Sequence, residues 1–473
     1  MGIKLDWQVE SEQTRVEATE DPAARRQRRR ARNRLLLLII GLGAVVALIA
    51  ALIIWRLDRL DEQIKNDLVD TVQVEVTALR IGDYANFMAV QRSASETFLL
   101  EQSQRFETYQ QLKQTNQVEL PGTVVDVTID NLRGRVVVEE IIDGVPYHVV
   151  WFYWYYEEGG ESGQKGWRHV PADLTFWGGE RELDREHVRV VYREMDALLA
   201  EVLASRLEEW WTAGCAQLGC LAELPRLRVE IVAEHTGAVQ WDPLNDWSLQ
   251  VASPLVDRAR ADAPVPPVLE QEVVAMISER LAYFATGTPL GSGDATDSAW
   301  LHGELARWLA GQLLNAPDPG GFVETLLAQY GLGAVNSMVQ TTLPTLDIAL
   351  TAVTGVSMPL LSTDQLNNLA WADFFQWRLV LEFQLLNQPD SGGLFLTLYD
   401  QEQSFAYSAA QLRLEDPAYA ARPVPQVMSV DIVRDEQSQT YAYVGVSGVD
   451  AGAPESRDVI VWRLAGGTWK RAS

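Results

Sequence analysis

The sequence predicts an α+β chain with one N-terminal transmembrane helix, then two domains of helices followed by a bent antiparallel sheet, flanking a mostly helical domain. Three observations carry the prediction. A 21-residue run without a charge, Leu35 to Trp55, follows a dense arginine cluster. Strand-like segments gather twice, over residues 122–170 and 427–471, each time after helical periodicity. The 473 residues leave room for roughly three domains at about 100–200 residues each.

Composition narrows the function classes. With 39 Lys+Arg against 65 Asp+Glu, the chain carries a net charge of -26, which argues against nucleic acid, since phosphate backbones are bound by dense basic faces. A hydrophobic fraction of 47% with 16 Trp, 14 Tyr and 12 Phe supports large cores and excludes an acidic disordered chain. Two cysteines are too few for a disulfide-stapled scaffold or a Cys-based zinc ribbon.

The leader, residues 1–34, holds nine basic and six acidic side chains, leaving 30 basic and 59 acidic in the remainder. Seven arginines fall between Arg25 and Arg34. The uncharged run at 35–55 spans about 30 Å as a helix, the thickness of a hydrocarbon core. A secretory signal would have a shorter core of about 7–15 residues and a small-residue cleavage site, whereas this run exits into Trp55-Arg56-Leu57-Asp58-Arg59. The arginines place the N-terminus in the cytoplasm and everything after residue 56 outside it. They suit contact with lipid headgroups more than with DNA. The lipid bilayer is therefore the first expected partner.

Domain 56–179 opens with Leu57, Leu60, Ile64, Leu68, Val72, Val76 and Leu79 at helical spacing, a stripe suited to packing on its own domain or to a dimer seam. A second helix is expected over Tyr84–Leu112. Strands follow at 124–129, 135–142, 147–156 and 166–170. In Trp151-Phe152-Tyr153-Trp154-Tyr155-Tyr156, alternation sets Trp151, Tyr153 and Tyr155 on one face and Phe152, Trp154 and Tyr156 on the other, one face for the core and one for a pocket or partner surface. Domain 180–360 predicts a helix over 186–211, a loop bearing Cys215 and Cys220, a strand over 227–233, and helices near 269–285, 299–314, 322–330 and 332–353. The cysteines are expected to form a local disulfide; they lack the CxxC spacing of a redox pair. Gly291-Ser292-Gly293-Asp294 and Gly331-Leu332-Gly333 read as loop punctuation. Domain 361–473 predicts a helix over 369–386, opened by the capping box Ser362-Thr363-Asp364-Gln365, and strands at 427–434, 440–447 and 458–464. It ends in Gly467-Thr468-Trp469-Lys470-Arg471, which parallels Gly166-Trp167-Arg168-His169 and points to a distant internal duplication.

The Ile81-Gly82-Asp83-Tyr84 turn before a helix and the late Trp-centred strands resemble the nuclear-transport-factor-2-like, or cystatin-like, fold. In the second copy the matching strings are Phe374-Phe375-Gln376-Trp377-Arg378, Leu398-Tyr399-Asp400 and Val461-Trp462-Arg463. The resemblance implies two cone-like modules covering roughly 230 residues, each a bent sheet around a pocket; this fold hosts enzymes, binders and secretion scaffolds alike.

The middle domain resembles the gluzincin, or peptidase-MA-like, metallopeptidases. There an HExxH helix gives two zinc-ligand histidines and a glutamate base, and a WLxEGxA-like helix gives a third ligand. Here Trp300-Leu301-His302-Gly303-Glu304-Leu305-Ala306 has Gly and Glu exchanged, which swings the carboxylate about 100° around the helix. The HExxH position falls on Ser278-Glu279-Arg280-Leu281-Ala282, where only the glutamate survives. Catalytic zinc needs about three protein ligands and an open position, and His148, His169, His187, His235 and His302 are unpaired at ligand spacing. A site from His302 with Glu279 and Glu304 is the remaining metal alternative. The resemblance thus implies a peptidase fold without peptidase chemistry, with no catalytic residue, metal or cofactor.

The expected function is a single-pass membrane protein whose extracytoplasmic part binds or scaffolds another protein or a peptide. An active hydrolase and a component of an envelope transport or secretion assembly are the competing readings.

Overall fold

The structure, a computed structural model, describes residues 22–119, 122–157, 165–220, 223–234, 239–288, 296–331, 333–341, 345–448 and 457–473. The leader before residue 22, His235, Leu332 and the Gly291–Asp294 loop lie outside them. The chain is of mixed α+β class.

Helix α1 (Pro22–Ile81) runs uninterrupted for 60 residues, about 90 Å at the rise of an α-helix. Its apolar stretch from Leu38 is long enough to cross a membrane, and none of that stretch is buried against the protein. From Leu68 onward the stripe turns inward: Leu68, Val72, Val76 and Leu79 are buried, while Leu57, Leu60 and Ile64 stay exposed. Gly82 ends the helix with φ +80°, and the amides of Gly82 and Asp83 both bond the Ala78 carbonyl.

The helix expected over 84–112 is two, α2 (Tyr84–Val90) and α3 (Glu96–Thr115). Ser95 caps α3 with its side chain, and Gln91 leaves the helix for a parallel bridge with His169. Strands β1 (Val118–Glu119), β2 (Val124–Asp130), β3 (Arg133–Ile142), β4 (Val145–Tyr156) and β5 (Gly166–Val170) follow. Asp143 and Gly144, both at positive φ, make the two-residue β3–β4 turn that a right-twisted hairpin favours. β1 and β2 flank one edge of β3, and β4 pairs its other edge.

Where a helix over 186–211 is expected, the chain forms β6 (Glu180–Asp184), β7 (Val188–Arg193) and only then α4 (Ala197–Leu218). The alternation Val188-Arg189-Val190 has a period of two, and β7 pairs in parallel with β8 (Leu227–Val232) through the α4 crossover. β9 (Val239–Asp242) and β10 (Asn245–Ala252) complete a five-stranded mixed sheet, β6-β7-β8-β10-β9, inside the segment expected to be mostly helical. β11 (Ala259–Arg260) returns to the first sheet and pairs β4 at His148 and Tyr147.

The remaining helices are α5 (Pro267–Thr286), α6 (Asp297–Leu313), α7 (Phe322–Tyr330), α8 (Gly333–Val339) and α9 (Leu346–Thr354). The helix expected over 332–353 is thus divided, and Thr345 caps its second part. Ser362 and Gln365 form the expected capping box, but it opens a separate one-turn helix, α10 (Thr363–Asn367), ahead of α11 (Ala372–Asn387). α12 (Gly392–Thr397), α13 (Ser404–Leu414) and α14 (Pro417–Ala420) lead to β12 (Gln426–Arg434), β13 (Thr440–Ser447), β14 (Arg457–Ala465) and β15 (Thr468–Arg471), an antiparallel sheet in that order.

The two ends match in detail. The β2–β5 run of the first sheet and the whole of the last are four consecutive antiparallel strands, and both carry a bulge at the start of the first pair, between Val124 and Asp126 and between Val427 and Ser429. Such bulges bend a sheet. In both, a residue just after a short helix makes an isolated parallel bridge to the last strand: Gln91 to His169, and Tyr399 to Arg471. His169 and Arg471 each stand two residues after a fully buried tryptophan, Trp167 or Trp469.

The largest core runs without a break from Val188 to Trp469, across residue 360. Trp300, Phe322, Phe374, Trp371 and Trp469 form a chain of edge-to-face rings that ties α6 to the last sheet.

Candidate functional site

The residues matched to a metallopeptidase site are engaged in packing. Ser278 and Ala282 are buried on the inner face of α5, and Glu279 is exposed on its outer face. Trp300 is a core ring. His302 is buried with its Nε2 2.8 Å from Thr286 Oγ1, its Nδ1 donating to the Ser298 carbonyl at 2.7 Å, and its ring stacked 4.5 Å from Tyr283. Burial pushes its pKa down. Glu304 is buried beside Arg307 at 3.1 Å, and burial pushes its carboxyl up. His302, Glu279 and Glu304 do not bring their ligand atoms together: among the described residues the one such cluster of three is Glu186, His187 and Glu208. There Glu208 accepts the His187 amide and holds His187 Nδ1 at 2.7 Å, which anchors the start of β7 onto α4.

Cys215 lies in the last turn of α4, not in a loop, and is bonded to Cys220 just beyond it, with Cα atoms 5.3 Å apart. Gly219 between them takes the left-handed conformation that ends the helix.

In the aromatic run, Trp151 and Tyr153 are buried against the helices and Tyr155 packs beside them. Phe152, on the opposite face, joins Val150, Val170 and Trp177 in a small core shared with Leu255 and Val256 of the middle segment. Trp154 is 43% exposed.

Two buried polar clusters, one in each end module, occupy equivalent places. Glu75, on α1, accepts from His169 Nδ1 at 2.7 Å, Tyr153 Oη at 2.7 Å and Gln91 Nε2 at 3.0 Å. Glu382, on α11, accepts from Arg471 Nη1 at 2.7 and 2.6 Å and from Tyr399 Oη at 2.5 Å. In each, an acid on a long helix meets a donor at the bridge residue and a nitrogen donor two positions after the last-strand tryptophan. The backbone repeats as well: the amide of Arg92 bonds the His169 carbonyl at 2.8 Å, and that of Asp400 bonds the Arg471 carbonyl at 2.9 Å. Burial, then the adjacent carboxylate, pushes the Tyr153 and Tyr399 hydroxyls well above the usual range. Both phenols therefore stay donors. The two acids were missed by motif reading, though each carries a signal: Glu75 interrupts the stripe Leu68-Val72-Val76-Leu79, and Glu382 sits inside Leu379-Val380-Leu381-Glu382-Phe383.

Beside the first cluster lies a cavity of about 360 Å³, walled by α3, β4, β5 and the 255–256 turn, with His169 on its surface. Its volume is at the lower end of the range typical of small-molecule pockets, about 300–1,000 Å³. Phe98, Phe152 and Trp177 give it an apolar wall; Gln102 and Arg105 of α3 give it polar groups. Burial pushes the Arg105 guanidinium down. Compared with protein-family models, curated proteins and solved structures, the chain matches none of them.

Proposed function

We propose that this chain is a single-pass membrane protein whose N-terminus is cytoplasmic and whose extracytoplasmic part binds a protein or peptide without catalysing a reaction. In this reading residues 56–179 and 361–473 are cone-like modules of common origin, and residues 180–360 are a pseudopeptidase module. The observation that carries the non-catalytic part is the disposition of His302, Glu279 and Glu304. Both nitrogens of His302 are held by neighbouring groups, Glu279 points to solvent, and Glu304 is tied to Arg307. An activated water needs convergent ligands with an open position, and these side chains diverge. The apolar stretch of α1 with its arginine-rich flank supports the membrane topology, and the Cys215–Cys220 bond suits an oxidising compartment.

Reporter fusions at residues 20 and 100 test the topology: a cytoplasmic signal at 20 and an external one at 100 are expected, and a cytoplasmic signal at 100 would overturn it. Metal content and cleavage of a broad peptide library by the full-length protein test the rest. Stoichiometric zinc that is lost on Glu304→Ala, together with cleavage, would establish a hydrolase instead.

A further inference from the structure

The cavity beside His169 borders β4 between its two short partner strands on one edge. β5 pairs β4 from Phe152 to Tyr156, and β11 pairs it at Tyr147 and His148. Val149, Val150 and Trp151 therefore have no strand partner on that edge, and Val150 borders the cavity. All three are buried, and Leu255 and Val256 pack in the same small core as Val150.

Two side chains in the cavity wall lack partners. Gln102 is 7% exposed, yet its amide makes no hydrogen bond among the described residues, and its Oε1 is sealed from solvent. A buried amide in that state costs free energy until a donor reaches it. Arg105 lies over the Trp151 ring at 5.6 Å and has no ion pair or hydrogen bond among the described residues. The buried acids nearest it are already matched, Glu140 by Arg258 at 2.6 Å and Glu75 by His169. Glu101 and Asp257 are exposed at the rim. Arg105 is thus left without a carboxylate partner among the described residues. Phe98, Phe152 and Trp177 supply an apolar wall next to it.

The geometry points to a site for a peptide C-terminus with an apolar last residue: the carboxylate on Arg105, an adjacent N–H on the Gln102 side-chain amide, and the side chain against Phe98, Phe152 and Trp177. Arginine forks onto a carboxylate through two parallel bonds. The inference rests on the reading of the ectodomain as a binder, and gives that binder a ligand class.

The test uses the full-length chain in nanodiscs, titrated with acetyl-Ala-Leu as free acid, with its amide, and with hexanoate, which keeps a carboxylate and apolar tail but lacks the N–H. The free acid is expected to saturate the protein, and the amide and hexanoate to bind at least tenfold more weakly. Arg105→Gln and Gln102→Leu are each expected to weaken the free acid at least tenfold. Gln102→Leu should leave the melting temperature unchanged or higher, because it removes an unpartnered buried amide; this separates a ligand contact from a structural role. Equal binding of acid and amide, equal binding of hexanoate, unchanged affinity in both variants, or no saturation by the free acid would each overturn the site. Cleavage of acetyl-Ala-Leu during the titration would instead overturn the non-catalytic reading, so the two fail separately.

Discussion

Glu382 is fully buried, and Arg471 Nη1 reaches both its oxygens while Tyr399 donates to one of them. Removing one partner of such a pair leaves the other charge uncompensated, so Glu382→Ala is expected to destabilise the protein by about 3–5 kcal/mol in urea unfolding. Glu304 acts in the opposite sense. Burial raises its pKa above the ordinary 4.5, so the folded state holds the proton to higher pH than the unfolded one. Its contribution to stability is then fully present below about pH 4.5 and is lost as pH rises from there through the higher folded-state pKa. Glu304→Gln is expected to melt higher than the native protein at pH 7 and alike at pH 4; equal melting at pH 7 would refute this. At this scale Glu75 and Glu382 stand among apolar residues in the sequence, a pattern the motif reading passed over. It did not reveal their partners, because Arg471 is 89 residues from Glu382 and His169 is 94 from Glu75.

The elements read best from sequence were those with local causes. The strands of both end sheets fall within a few residues of expectation because alternation and Gly or Asp turns are short-range signals. α7 matches to the residue. β7 was read as helix because its partner β8 lies beyond a 22-residue crossover helix, α4, and β-branched residues can serve either element. The helices expected over 84–112 and 332–353 are each two, the second piece started by its own Ser or Thr cap. At the end of α4, the Cys215–Cys220 bond closes a short loop, so Cys215→Ala with Cys220→Ala is expected to cost about 2 kcal/mol or less. Maleimide labelling of the unfolded native protein should require prior reduction; labelling without it would remove the disulfide from the account.

At the scale of the molecule, the sequence divides the chain at residues 179 and 360, but the packing joins what lies on either side. β11 crosses back to the first sheet, and one core passes from α4 through α6 into the last sheet. The matching bulges, bridges and buried acids of the two end modules are clearer in space than in sequence, since the last-strand donor is His in one and Arg in the other, and the bridge donor Gln in one and Tyr in the other. The sequence by itself determined the apolar span, the acidity of the residues that follow it, the strand segments of both ends and the absence of histidine pairs at zinc-ligand spacing, all properties of composition and short-range period. Only the tertiary structure decided that His302 is a packed core histidine, that Glu75 and Glu382 are paired, and that an unpartnered Gln102 and Arg105 face one cavity. Burial and pairing depend on residues far apart in the chain, and local patterns carry no record of which distant segments will meet.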